Sequence, residues 1–134
     1  MITQYTAASL VMENRILSHP ATVDSLPTSA DQEDHVSMAT TAARKTFEIM
    51  KNLADILAFE VMNAAQGLDF LKPLKSGRGC EAAYQLVRSG IATLDRDRLM
   101  TADVDFAREI ILSGRLARAA EEGAGLVPSD GLKW

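Results

Sequence analysis

The feature that most constrains this chain is one long apolar stripe. Ala39, Ala43, Phe47, Met50, Ala54, Leu57, Val61, Ala64 and Leu68 recur at a mean spacing of about 3.6 residues, the α-helical period. Val36, Ile49, Leu53, Ile56, Phe59 and Ala65 widen the stripe. No proline occurs between Pro27 and Pro73, and no glycine precedes Gly67. The pattern predicts a single helix over residues 35–69. At 1.5 Å per residue such a helix spans roughly 50 Å, whereas a compact chain of this size has a radius of gyration of about 14 Å. Its stripe therefore needs cover from further chain of a larger fold or from a second copy.

Around this helix the sequence breaks into shorter pieces. Ile2, Tyr5, Ala8 or Ser9, Met12 and Ile16 predict a helix over residues 1–18, ended by His19-Pro20, because proline disfavours helical geometry in the residue before it. No N-cap stands before Ile2, so this helix begins mid-pattern, as expected of a chain cut from something longer. Residues 19–34 form a polar, proline-punctuated loop without glycine. A structureless connection of that length is uncommon unless it carries function. Residues 70–121 predict turn-rich connections and short helices at 80–90, 101–113 and 115–121, with an N-cap at Thr101-Ala102-Asp103. Residues 122–134 read as a loose tail. Alanine, leucine and methionine are plentiful and aromatics are only 5%, which favours helices, because unbranched side chains lose little rotamer freedom there. The expected class is all-α, one helical region over residues 1–134.

Charge and composition narrow the function. A net charge of −4 gives no electrostatic support to nucleic-acid binding. Lys72, Lys75 and Arg78 read as a solvated basic face, and Asp95, Arg96, Asp97 and Arg98 as weak surface pairs. The single cysteine, Cys80, excludes an intrachain disulfide and fits a reducing compartment. It is expected to be a small buried hydrophobe rather than a nucleophile. Met1-Ile2-Thr3-Gln4-Tyr5 lacks the basic start of a signal peptide. No run approaches the roughly 18 apolar residues of a membrane span, so a cytoplasmic protein with no membrane partner is expected. GxGxxG, phosphate-loop, HExxH and CxxC patterns are absent, so the residues suggest no metal and no bound nucleotide.

One cluster stands out. Asp31-Gln32-Glu33-Asp34-His35 places three carboxylates, an amide and an imidazole directly before the long helix. Carboxylates at a helix start are stabilised by its exposed amides and macrodipole. Alternatively, clustered carboxylates split their proton affinities and serve as an acid, a base or a substrate contact. Both readings stay open on these residues alone. His19, next to a proline, reads as structural.

The run His19-Pro20-Ala21-Thr22-Val23-Asp24-Ser25-Leu26-Pro27-Thr28-Ser29-Ala30-Asp31-Gln32-Glu33-Asp34-His35-Val36-Ser37-Met38 closely resembles a signature segment of the histidine and aromatic amino acid ammonia-lyases. Ala42-Ala43-Arg44-Lys45, Ala64-Ala65-Gln66-Gly67-Leu68-Asp69-Phe70, Pro73-Leu74-Lys75-Ser76 and Asp95-Arg96-Asp97-Arg98 also match that family in order. The resemblance covers nearly the whole chain and fades over the last dozen residues. It implies the C-terminal portion of an enzyme that removes ammonia from an L-amino acid, giving urocanate or a cinnamate. It also implies a long-helix bundle of the fumarase/aspartase-like kind, assembled as a homotetramer whose active sites draw residues from more than one subunit.

Residue by residue, the resemblance places Glu33 as the catalytic glutamate and Gln32 as a substrate-binding amide. The form Gln32-Glu33-Asp34-His35 leans toward histidine as substrate, although lyases and aminomutases for tyrosine or phenylalanine remain an alternative. The family works through a 4-methylideneimidazole-5-one electrophile derived from its own Ala-Ser-Gly tripeptide. That tripeptide does not occur here, since Ala8-Ser9 is followed by Leu10. Asp31 and Ala39 also replace the family's usual asparagine and glycine. The chain is therefore expected to be inactive alone and to need the remaining N-terminal lyase portion as its partner. A non-catalytic remnant that self-associates through the 35–69 stripe, or a subunit modulating a full-length lyase, are the competing readings.

Overall fold

The computed structural model describes residues 2–23 and 25–126. Five helices account for the regular structure: α1 (Ile2–Leu17), α2 (Ala39–Phe70), α3 (Arg78–Gly90), α4 (Thr101–Leu112) and α5 (Arg115–Ala124). The described residues form no strand, only an isolated antiparallel bridge between Thr28 and Glu33. The all-α expectation holds. The chain divides into two compact units, Met1–Leu53 and Ala54–Trp134.

In the first unit, α1 buries none of its residues; Ile2, Tyr5 and Ile16 are each at least 69% exposed. Two polar bonds link α1 and the residues just after it to the first half of α2. The Asn52 side-chain amide donates to Asn14 Oδ1 at 3.0 Å, and Lys45 Nζ donates to the His19 carbonyl. Phe47, Met50 and Leu53 on the first half of α2 are exposed as well.

In the second unit α2 packs through a face offset from the predicted stripe, since Leu57 and Ala64 are exposed. Ala58 and Met62, which the stripe left out, and Ala65 pack with Tyr84 and Val87 of α3, Ile91, and Ala107 and Ile110 of α4. Small residues on α2 let the facing elements approach, while Ile110, fully buried, fills the centre. Arg108 of α4 donates through Nε to Asp55 of α2 and through Nη1 to Asp105 at 2.8 Å. Helices α3 and α5 pack so closely that glycine is required at their crossing. A Cβ added at Gly79 would sit 2.8 Å from the Ala120 carbonyl oxygen, and one at Gly123 would sit 2.5 Å from Ala82 Cβ.

Several boundaries differ from the sequence reading. The long helix begins at Ala39 rather than residue 35, so the loop runs on to Met38. Two clasps hold the intervening backbone out of the helix. The Val36 N–H donates to Ser25 Oγ at 2.8 Å, while the Ser25 hydroxyl donates to the Val36 carbonyl at 3.2 Å. The Glu33 carbonyl, which a helix would offer to residue 37, instead accepts the Thr28 N–H at 2.9 Å. Side-chain and bridge bonds here outcompete helical ones.

Helix α3 begins at Arg78, two residues before the predicted start, with Gly77 as N-cap. The N-cap of α4 is Met100, without a side-chain cap bond. Asp103 is drawn instead to Arg98 at 2.8 Å. Arg98 thus pairs with Asp103 and not within its own charged run. Helix α5 continues to Ala124, so residues 122–124 are helical and not tail. Residues 127–134 lie outside the described residues. Cys80 is exposed, contrary to the expected burial, because it sits in the first turn of α3 away from the core.

The glycines yield a paired test. Gly67→Ala on α2, where an added Cβ meets nothing within 4 Å, is expected to stabilise the chain by about 0.5–1 kcal/mol. Gly123→Ala is expected to destabilise it by roughly 1–3 kcal/mol through overpacking against α3. Urea midpoints measure both; equal shifts of one sign would contradict the close α3–α5 crossing.

Candidate functional site

The loop between α1 and α2 is held by side chains rather than by burial. Thr28 and Glu33 face each other across a narrow turn. Thr28 N–H donates to the Glu33 carbonyl at 2.9 Å, and Glu33 N–H donates to the Thr28 carbonyl at 3.2 Å. The Thr28 hydroxyl adds a third bond, to Glu33 Oε2 at 2.9 Å. Between them Ser29, Ala30 and Asp31 take φ values of 53°, 53° and 65°. Three consecutive left-handed residues without glycine are uncommon, since the left-handed form costs an L-residue about 1–2 kcal/mol. Residues in such conformations persist only where their surroundings over-determine them. Here the Thr28–Glu33 pair and the Ser25–Val36 clasp supply that restraint. Asp31 suits the left-handed region better than most residues, because a short polar side chain bonds locally.

This geometry separates the two readings of the acidic cluster. Since α2 starts at Ala39, its first turn contains no acidic residue. Asp31, Glu33 and Asp34 therefore do not serve as charges at a helix N-terminus. Glu33 and Gln32 are neighbours on one exposed turn, and the Gln32 N–H closes that turn on the Ser29 carbonyl at 3.2 Å. The Glu33 carboxylate is presented to solvent with one oxygen held by a hydroxyl, an arrangement that suits a hydrogen-bond acceptor or a proton carrier. His35 is exposed on the same loop, and His19 contributes its backbone carbonyl to Lys45, consistent with a structural residue. Sequence reasoning singled out Glu33 and Gln32 but missed Thr28 and Ser25. The signal for Thr28 was weak, a hydroxyl five residues before a carboxylate with no regular element between them.

A second polar cluster lies in the other unit, and the sequence gave little sign of it. Asp69, near the end of α2, has a side chain only 7% exposed. It accepts from Arg88 Nη2 at 2.7 Å, Lys72 Nζ at 2.8 Å, Tyr84 Oη at 2.5 Å and Thr93 Oγ1 at 2.9 Å. Burial alone pushes the Asp69 carboxyl up. The bonds from Lys72, Tyr84 and Thr93 and the charge of Arg88 overcome that and hold it well below the usual carboxylate range. Arg88 also donates through Nη1 to the Ile91 carbonyl at 3.1 Å. The Gln66 side chain clamps Leu94 by accepting its N–H at 2.9 Å and donating to its carbonyl at 3.3 Å. The cluster fastens α3 and the segment after it to the end of α2. Two of the three basic residues expected to form a solvated face are therefore in use, Lys72 on Asp69 and Arg78 on the Ala124 carbonyl at 3.2 Å. Among the described residues, no group of three or more His, Cys, Asp or Glu is placed to hold a metal ion, and no helix is long and apolar enough to cross a membrane.

Comparison with known proteins places these features in a family context. Residues 1–89 match the family described as aromatic amino acid lyase. A histidine ammonia-lyase of Alkaliphilus oremlandii is 50% identical over 126 residues, covering 94% of this chain and 25% of that protein. Another, of Caldanaerobacter subterraneus, is 52% identical over 122 residues, covering 91% and 24% respectively. Among solved structures, histidine ammonia-lyase from Trypanosoma cruzi matches with a TM-score of 0.87 at 40% identity, covering 92% of this chain and 24% of that one. Tyrosine aminomutase from Streptomyces globisporus matches with a TM-score of 0.84 at 32% identity, covering 94% and 24%. The chain spans about a quarter of the length of the relatives it matches.

The Asp69 cluster makes stability depend on pH with a definite sign. Because the folded carboxyl lies below its ordinary value of about 3.9, the unfolded chain takes up the proton first as pH falls. The stabilisation is complete above that value and is lost progressively below it. Asp69→Asn is expected to cost about 3–5 kcal/mol near neutral pH by leaving Arg88 without its partner. Between about pH 6 and about pH 3 the urea midpoint of the native chain should fall more than that of Asp69→Asn. Parallel curves would remove Asp69 as the source of the acid sensitivity.

Proposed function

Since the chain belongs to the aromatic amino acid lyase family, we propose that it serves as the C-terminal part of an amino acid ammonia-lyase, with L-histidine as the favoured substrate and urocanate and ammonia as products. The observation that carries this reading is the Glu33 carboxylate, held on a clasped and strained turn rather than spent at a helix start. Elimination breaks the bond from carbon to the amine and a neighbouring C–H bond, so the site must accept a proton and orient the amine. Glu33 is the group in this chain suited to that task, as acceptor or proton carrier, and Gln32 beside it offers an amide to hold the substrate.

The family's 4-methylideneimidazole-5-one group supplies the electrophile that activates the substrate amine. This chain has no Ala-Ser-Gly from which to form it, so no described residue is assigned to making that group. The segment contributes one part of a composite site and is inactive without the remaining lyase portion. It is a cytoplasmic protein on this reading.

A second substrate reading has its own support. The structural match to tyrosine aminomutase at 32% identity favours tyrosine chemistry as the alternative to histidine. The exposed Ile2, Tyr5 and Ile16 of α1 and Phe47, Met50 and Leu53 of α2 favour association with further protein, a homotetramer by analogy with the family. Self-association without catalysis is the competing role for the same surface.

Three measurements test these readings. The purified 134-residue chain is expected to release no ammonia from L-histidine, L-tyrosine or L-phenylalanine, whereas the complete lyase carrying this segment does so. In that complete enzyme, Glu33→Gln is expected to lower turnover by about 100-fold or more while assembly is unchanged; turnover at the native level would take Glu33 off the site. Light scattering on the isolated chain is expected to report an oligomer, and a monodisperse monomer would show that the apolar faces need no partner.

A further inference from the structure

We infer that Thr28 is a positioning residue for the lyase reaction, fixing the Glu33 carboxylate through its hydroxyl; this rests on the catalytic reading of Glu33 given above. A glutamate side chain has three rotatable bonds and, when exposed, loses up to about 2 kcal/mol of rotamer entropy on being ordered. Glu33 is exposed, so packing does not hold it. Thr28 does so in two stages. The reciprocal backbone bonds at 2.9 and 3.2 Å fix the two residues opposite each other. The Thr28 hydroxyl then reaches Oε2 at 2.9 Å and restrains that oxygen, which leaves the other carboxylate oxygen facing solvent. A hydroxyl donating to a carboxylate is among the stronger hydrogen bonds. Threonine is also stiff at χ1, so the direction of its hydroxyl is set by its own branched carbon.

The backbone bridge and the hydroxyl bond are chemically separable. Valine at position 28 keeps the branched shape and both backbone bonds but has no donor. Serine keeps the donor and loses only the methyl group. A loop that merely needed the bridge would tolerate valine and serine alike. A carboxylate that needs the hydroxyl would tolerate serine alone. Active groups held by a supporting hydrogen bond lose rate steeply when that support goes, because small misplacements are costly.

The test is a kinetic cycle in the complete lyase carrying this segment, with kcat and KM measured for Thr28→Val, Thr28→Ser, Glu33→Gln and the double variant Thr28→Val/Glu33→Gln. Thr28→Val is expected to lower kcat about 10-fold with KM within about two-fold, and Thr28→Ser to stay within about three-fold of the native kcat. In the Glu33→Gln background, Thr28→Val is expected to have no further effect, because the two residues act through one contact. A native kcat for Thr28→Val beside an impaired Glu33→Gln overturns the positioning role and leaves the catalytic reading standing. An equal loss in both backgrounds, or Thr28→Ser as slow as Thr28→Val, shows that position 28 acts through the loop and not through the carboxylate, and overturns it too. A native rate for Glu33→Gln overturns the catalytic reading and this inference with it.

Discussion

The unbroken hydrogen-bond ladder of α2 is the constraint on which the rest of the chain depends. Its 32 residues extend for roughly 48 Å, and once such a ladder has nucleated each further residue is added at little cost. The ladder sets where everything else attaches. The loop carrying Glu33 joins at its start, and Asp69 lies near its end. The face of Ala58, Met62 and Ala65 is covered by α3 and α4 within one compact unit. Around Phe47, Met50 and Leu53 the stripe remains exposed.

The two ends of α2 are stopped by different physics. At the start, hydroxyl groups compete with the helix for backbone partners. Ser25 takes both polar groups of Val36, and Thr28 takes the Glu33 carbonyl. Helix formation loses because the loop offers the same backbone groups bonds that are already in place. Glu33 consequently stands on a fixed turn instead of inside a helical first turn. At the far end the helix closes in a turn over residues 71–73, where Pro73 has no N–H to continue the ladder. Asp69 accepts from Lys72, Tyr84, Arg88 and Thr93 and so ties α3 and the segment after it to the end of α2.

The share of each element that was legible in the sequence follows from the range of its cause. Residues 39–70 could be recognised as a helix from apolar periodicity, and the chain's family from the run at residues 19–38, because both are local patterns. Glu33 and Gln32 are candidates through that run and not through any physical signature of their own. Thr28 escaped notice because its relation to Glu33 depends on a turn of three left-handed residues that no periodicity encodes. Lys72 and Arg78 are exposed, as a solvated basic face requires, yet each also has a partner that their spacing does not reveal, Asp69 for one and the Ala124 carbonyl for the other.

By itself, then, the amino-acid sequence determined the all-α class, the long helix and the family, and it nominated two residues for the candidate site, since helical period and a twenty-residue motif are properties of neighbouring positions. The tertiary structure alone decided that α2 begins at Ala39, that Thr28 holds Glu33, that Cys80 faces solvent and that Asp69 gathers four donors. Each of these outcomes is a competition between bonds to near and far partners, and only the folded geometry shows which partner is within reach.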